Sequence, residues 1–285
     1  VNVSGQTLVD ANAAAGAPDR PASGVGRQAS VADGSTFAPG LELLPTEVRG
    51  DVERLYRALR SLDDLVDDGD PRAASRVAAL EEWARGGRAR SPEARGLAEI
   101  SGRHPLPREQ VLSFCAGMRH DLQGADVETE EDFTRYCQQA GGAVGIMLVS
   151  VLGVAGDAAV EREAQERMST LGMAMQITNI LRDIDEDLAH GRLYISRSMI
   201  ERHGFPRPGI RRELLRDQIA QADALYEQGA AAIPLLAAGR EAMALSAALY
   251  REILRQIERE GFGARPGRVV VPAARRKTLI AEHSG

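Results

Sequence analysis

The stretch from Leu171 to Asp187 constrains the fold more than any other part of the chain. Gln176, Asn179, Asp183 and Asp187 fall at spacings of three, four and four, so on a helix they share one face, with Arg182 beside them. Leu171, Met173, Met175, Ile177, Ile180, Leu181 and Ile184 fill nearly every other side. A helix that is apolar almost all round is buried. Buried carboxylates repel one another and are costly unless paired or coordinated, so this helix calls for cations inside a helical assembly.

A second stretch repeats the design upstream. Tyr56, Arg60, Asp63 or Asp64, and Asp67 form one polar stripe on a helix whose other positions include Leu55, Leu59, Leu62 and Val66. Carboxylates on successive turns can share a hard cation. Mg²⁺ suits the pattern because it takes one or two carboxylates together with phosphate oxygens and waters. Either acidic run alone would read as a solvated helix face; two runs, each with arginine in register, point to a metal–diphosphate site.

The rest of the chain is helix after helix. One helix runs from Pro45 to about Asp67 and ends at the Gly69-Asp70-Pro71 turn. Further helices are expected over about 72–86, 91–101, 107–123, 129–153, 158–190, 211–233, 238–260 and 273–281, divided by short Gly/Pro/Asp turns. The one candidate strand, Arg268 to Val271, is too short to build a sheet, and no repeat of solenoid length occurs. The expected fold class is all-α, a single-domain helical bundle around a central cavity, where bundles commonly place their sites. Residues 1–33 are Gly, Ala, Ser, Pro and Asp without a period and read as a flexible tail, leaving 34–285 for the domain.

Composition excludes several classes. A net charge of −6 disfavours nucleic acid, which needs a concentrated basic surface. Cys115 and Cys137 have no CxxC spacing and no secretory signal is read, so a reducing cytoplasm is the expected compartment. The longest apolar run, Ala140 to Gly156, is shorter than the roughly 20 residues of a membrane-spanning helix and reads as a buried helix. Sequence leaves open a peripheral contact with a membrane surface to collect a lipid-like substrate, and says nothing of oligomeric state. Gly24-Val25-Gly26-Arg27-Gln28-Ala29 lacks the strand–helix context of a dinucleotide site, so no NADPH site is read. Five scattered histidines without zinc spacing argue against zinc, and His190 reads as a helix C-terminal residue.

The two stripes resemble the aspartate motifs of the squalene/phytoene synthase family. Leu55-Tyr56-Arg57-Ala58-Leu59-Arg60-Ser61-Leu62-Asp63-Asp64-Leu65-Val66-Asp67 is similar to the first. Met175-Gln176-Ile177-Thr178-Asn179-Ile180-Leu181-Arg182-Asp183, then Glu186-Asp187, Gly191-Arg192 and Tyr194, is similar to the second. Between them Tyr136-Cys137 and Gly141-Gly142-Ala143-Val144-Gly145 resemble a helix that is kinked in the family, where small residues make room for an isoprenoid tail. Leu249-Tyr250-Arg251-Glu252-Ile253-Leu254, Arg268 and Lys277 resemble its terminal diphosphate-contacting segment.

The resemblance implies the isoprenoid synthase type of bundle and a prenyltransferase that joins two prenyl diphosphates head-to-head. It implies two or three Mg²⁺ on Asp63, Asp67, Asp183 and Asp187. Arg60, Gln176, Asn179, Arg182, Tyr250 and Arg268 would contact diphosphate or metal-bound water, with Tyr56 on the first motif and Lys277 as a further phosphate contact. Phe37, Phe133 and Tyr136 are candidates to line the cavity and face a carbocation, or to serve as helical core. The chain departs from the family pattern at Gly34-Ser35-Thr36-Phe37, where a lysine is usual before the Phe. It departs again at Ile195-Ser196 after Tyr194, and at Ala143 where Thr is common. The missing lysine motivates an alternative, transfer of one prenyl group to a non-isoprenoid, aromatic acceptor.

Overall fold

Several of the helices begin where the chain supplies a side-chain oxygen for the unpaired amides of a first turn. Ser91 accepts from the Ala94 amide ahead of Pro92. Thr129 and Asp132 bond reciprocally as a capping box, Asp157 accepts from the Ala159 and Val160 amides, and Ser196 accepts from Met199. The structure, a computed structural model, describes residues 35–124 and 127–283. The expected tail to residue 33 and the Gly24–Ala29 motif lie outside the described residues.

In chain order the helices are α1 (Ala38–Glu42), α2 (Thr46–Asp67), α3 (Ala73–Ala84), α4 (Pro92–Ser101), α5 (Arg108–Leu122) and α6 (Glu130–Cys137). A π turn (Gln138–Gly142) then leads into α7 (Ala143–Leu152), α8 (Ala158–Ala189), α9 (Arg197–His203), α10 (Arg212–Ala230), α11 (Arg240–Arg259) and α12 (Ala273–His283). The 32-residue α8 is the hub, packing against α7, α10, α11 and the π turn, while α2 packs against α4, α5 and α7. One continuous apolar core joins these helices. No helix of the described residues is long and apolar enough to cross a membrane.

Three expectations change. The single helix expected over 129–153 is α6, the π turn and α7; the kink is a wider turn of five residues, where side-chain spacing alone cannot reveal an altered hydrogen-bond register. Two short helices, α1 and α9, were hidden because each buries too few side chains to show a period. The candidate strand at 268–271 is not formed: the Val269 amide donates to the Arg182 carbonyl at 3.3 Å, so the segment lies along α8 without a partner strand.

Glycines set how closely the π turn and α7 approach α8. A Cβ at Gly172 would sit 2.3 Å from the Gly141 carbonyl oxygen, and one at Gly145 only 2.1 Å from that of Met168. The blocking atoms are backbone, so a methyl there must part the helices. Gly172→Ala is therefore expected to destabilise the protein by about 1–3 kcal/mol, read as a lowered urea midpoint; an unchanged midpoint would show that the two backbones are free to separate.

Candidate active site

The α2 and α8 stripes face one another across a cleft. On α2, Arg60 donates to Asp63 at 3.0 Å and pairs with Asp64 at 2.7 Å, one turn from Asp67. On α8, Arg182 holds Asp183 through two bonds of 2.8 and 2.6 Å. Arg268 reaches the same carboxylate at 3.3 Å and Glu186 at 3.1 Å. Arg192 bridges the cleft from beyond the C-terminus of α8: its guanidinium bonds Asp67 and donates to the Val66 and Asp67 carbonyls at 2.8 and 3.1 Å.

Electrostatics separates these carboxylates from those that merely hold the fold together. Arg103 bonds Asp51 and holds it at about 2, and Arg119 bonding lowers Glu81. In the cleft the sign reverses. Burial, then the neighbouring Asp67 charge, pushes Asp63 up to about 7 despite Arg60. Burial, then Asp183 and Asp67, pushes Asp187 up to about 7. The influence of Asp67 on Asp187 shows that the two stripes share one field. The cleft thus holds more negative charge than its arginines neutralise.

A third carboxylate lies beneath. Asp121 of α5 is buried, accepts from the Tyr194 hydroxyl at 2.9 Å and from Tyr136 at 3.2 Å, and is pushed up to about 7 by burial. Tyr136 stacks on Tyr194 with ring centroids 4.8 Å apart. Its hydroxyl is turned toward Asp121 and away from the apolar cavity that adjoins the stripes. Asp121 was missed by sequence reasoning, yet a signal existed: it continues the apolar stripe Val111, Phe114, Cys115, Met118 of α5, where a charge needs a reason.

Asp185, inside the second acidic run, points elsewhere. It accepts two bonds from buried Arg211 at 2.8 and 2.7 Å and one from the Gly267 amide at 2.7 Å. It therefore fastens the α11–α12 loop, which carries Arg268, to α8. The alternation is simple helix geometry: residues 183 and 187 share a face and 185 does not.

Adjoining the stripes is an apolar cavity with about 700 Å³ of empty space including its open mouth, within the roughly 300–1,000 Å³ usual for small-molecule sites. Val144, Gly145, Leu148, Met168, Leu171, Gly172, Met175 and Met243 form its walls, and Phe37, Tyr56, Gln176, Asn179 and Tyr250 stand toward the carboxylates. Phe37 stacks on Tyr56 at 5.5 Å, and burial pushes the Tyr250 phenol up to about 12, so it stays neutral. Phe133 does not line this cavity; it is 1% exposed in the core, where an aromatic on a helix most often packs. Lys277 is exposed on α12, whose one buried residue is Leu279, and joins neither stripe.

The residues fit a hard cation. The side chains at the stripes that can ligate a metal all offer oxygen, and the side-chain carbonyl of Asn179 is buried with no hydrogen-bond partner, which an acceptor rarely tolerates unless something absent from the protein binds it. Among the described residues no three acidic, His or Cys side chains converge as a metal cage. Mg²⁺ needs no such cage, because it usually keeps waters and phosphate oxygens as ligands.

Comparison with known proteins agrees with this geometry. A phytoene synthase from Thermus thermophilus is 34% identical over 259 residues, covering 87% of this chain and 88% of that protein. One from Arthrospira platensis is 30% identical, covering 86% and 87%. A crystal structure of a dehydrosqualene synthase in complex with ligand superposes with a TM-score of 0.77 at 26% identity, covering 88% of this chain and 91% of that one. A squalene synthase from Alicyclobacillus acidocaldarius gives 0.68 at 26%, covering 80% and 90%. Residues 31–275 match the squalene/phytoene synthase family, and with two facing aspartate stripes at the mouth of an apolar cavity, the chain belongs to that family.

Proposed function

We propose that this chain ionises an allylic prenyl diphosphate and condenses the resulting cation head-to-head with a second prenyl diphosphate, giving a phytoene-type or presqualene-type product. The observation that carries the reading is geometric: two aspartate stripes, on α2 and α8, joined across the cleft by Arg192 and standing at the mouth of an apolar cavity. That arrangement suits a polar head brought in with its own cations and a hydrocarbon tail behind it.

Asp63, Asp67, Asp183 and Asp187 would hold two or three Mg²⁺, which when bound neutralise the diphosphate and stabilise the charge growing on it as it leaves. Arg60, Arg182 and Arg268 already point at these carboxylates and contact the diphosphate oxygens as the guanidinium fork allows. Asn179 and Gln176 orient the head group from α8. Phe37 and Tyr56 stack to close the mouth, and with Tyr250 they keep water from the cation and present aromatic faces to it. Tyr136 acts through Asp121 to fix the cleft floor. Lys277, exposed on α12, is left to meet a second diphosphate only where the substrate extends beyond the cleft.

A second reading rests on one contact. Ser35 occupies the position where a lysine is usual, and its hydroxyl bonds that of Tyr56 at 2.6 Å. A neutral pair there supplies no cation for a second diphosphate, which favours transfer to a non-isoprenoid, aromatic acceptor. Incubating the protein with farnesyl or geranylgeranyl diphosphate and Mg²⁺ and extracting lipids separates the two. A C30 or C40 product that disappears with chelator is expected; none from either substrate, with prenylated product from an aromatic panel, overturns the first reading in favour of the second.

A further inference from the structure

Four large apolar side chains stand exposed among the described residues: Leu122, Phe205, Ile210 and Val270. Three of them lie on two loops that are fastened together. The α9–α10 loop carries Phe205 and Ile210, and the α11–α12 loop carries Val270. The Gly209 amide donates to the Gly263 carbonyl at 3.0 Å, and buried Arg211 donates to the carbonyls of Pro206 at 3.4 Å and Arg265 at 3.2 Å, one on each loop. Ile210 and Val270 are each 64% exposed, far more than a packed helix would leave an aliphatic side chain.

The same loops are cationic in an acidic chain. Residues 204–212 contain Arg207, Arg211 and Arg212, and residues 261–270 contain Arg265 and Arg268; neither segment has an Asp or Glu, although the whole chain carries −6. Arg211 and Arg268 are matched by Asp185, Asp183 and Glu186. Arg207, Arg212 and Arg265 are exposed and have no acidic partner within ion-pair distance among the described residues. Arg207 lies over the Phe205 ring at 5.7 Å, keeping charge and apolar surface side by side.

We propose that these two loops dock the protein on a bilayer surface bearing anionic lipid headgroups. Apolar tips that sink past the headgroups, ringed by unmatched arginines that meet their phosphates, are the chemistry of interfacial binding. A protein partner would instead be met by a broad face with matched charges, and a phosphate backbone would have no use for Ile210 or Val270. The loops are rooted on α8 through Asp185, and Arg268 of the α11–α12 loop reaches Asp183 in the cleft at 3.3 Å. Docking therefore brings the cleft mouth to the surface where an isoprenoid dissolves, a consequence that rests on the function proposed above while the docking itself does not.

The test uses the full chain and lipid vesicles without substrate, so its outcome is independent of the reaction. Co-sedimentation with phosphatidylcholine vesicles containing phosphatidylglycerol is expected, with weak binding to phosphatidylcholine alone and release by salt. The pairs Phe205→Ser with Ile210→Ser, and Arg207→Glu with Arg265→Glu, are each expected to weaken binding about tenfold or more, with circular dichroism and activity on detergent-dispersed substrate unchanged. Parent-level binding by both double variants overturns the proposal, as does equal partitioning to neutral and anionic vesicles. A dimer lost in the Ser variant without lipid assigns the surface to a second copy instead.

Discussion

Asp187→Asn is expected to lower kcat about 100- to 1,000-fold while leaving a folded protein that, without metal, is at least as stable as the parent at pH 8. Both halves follow from one cause. Burial and the Asp183 and Asp67 charges push Asp187 up to about 7, above the ordinary carboxylate value of roughly 4. Between those values the folded protein binds a proton that the unfolded chain does not, so stability falls as pH rises toward 7 and stays lower above it. An amide keeps the shape and removes the repelled charge, with a gain at pH 8 of about 1 kcal/mol once water in the cleft is allowed for. That corresponds to about 2–4 °C in Tm for a chain of this size, and the gain shrinks at pH 5. Product assays and thermal unfolding at the two pH values check it. A variant that retains parent kcat, or that melts lower at pH 8, contradicts the account of Asp187 as a functional charge held at the expense of stability.

Arg211→Met tests the other side of the same helix. Arg211 is 4% exposed and its loss leaves half-buried Asp185 with the Gly267 amide alone, so that breaking the pair costs about 3–5 kcal/mol. It also frees both loops, because the same guanidinium donates to the Pro206 and Arg265 carbonyls. A fall in Tm of about 6–20 °C is expected, together with weaker diphosphate binding, since Arg268 is carried by the loosened loop. Adding Asp185→Asn should recover part of the stability, because no orphaned charge remains, without restoring the position of Arg268. If the single variant melts like the parent, the Asp185–Arg211 pair is not what fastens the loops.

The parts of the site that sequence made legible are those written in helical spacing. Tyr56, Arg60, Asp63 and Asp67, and Gln176, Asn179, Asp183 and Asp187, recur every three or four residues and therefore come to one face whatever the tertiary details. Asp121 was illegible for a related reason: one charge in the apolar stripe of α5 forms no run, and its partners Tyr136 and Tyr194 arrive from distant segments. Asp185 lies inside the second acidic run, but its angular position sends it to Arg211. Val269, Val270 and Val271 have the β-branched character of a strand, but a strand needs a neighbour, and here the Val269 amide donates to the Arg182 carbonyl of a helix instead. The fold class was legible because periodicity is local; the division of labour among carboxylates was not, because it depends on which helix lies opposite.

The π turn at Gln138–Gly142 sets an angular phase. Each residue of an α-helix advances about 100°, so a turn that accommodates an extra residue rotates everything after it relative to everything before. With it, α6 aims Tyr136 at Asp121 while α7 aims Val144, Gly145 and Leu148 into the cavity. Deleting one residue from the turn would restore an ordinary helix, yet swing α7 by that same 100° and carry the cavity wall out of position. Helix continuity and cavity shape are alternatives for this stretch of chain, and insertions or deletions at 138–142 are the changes it can least accommodate.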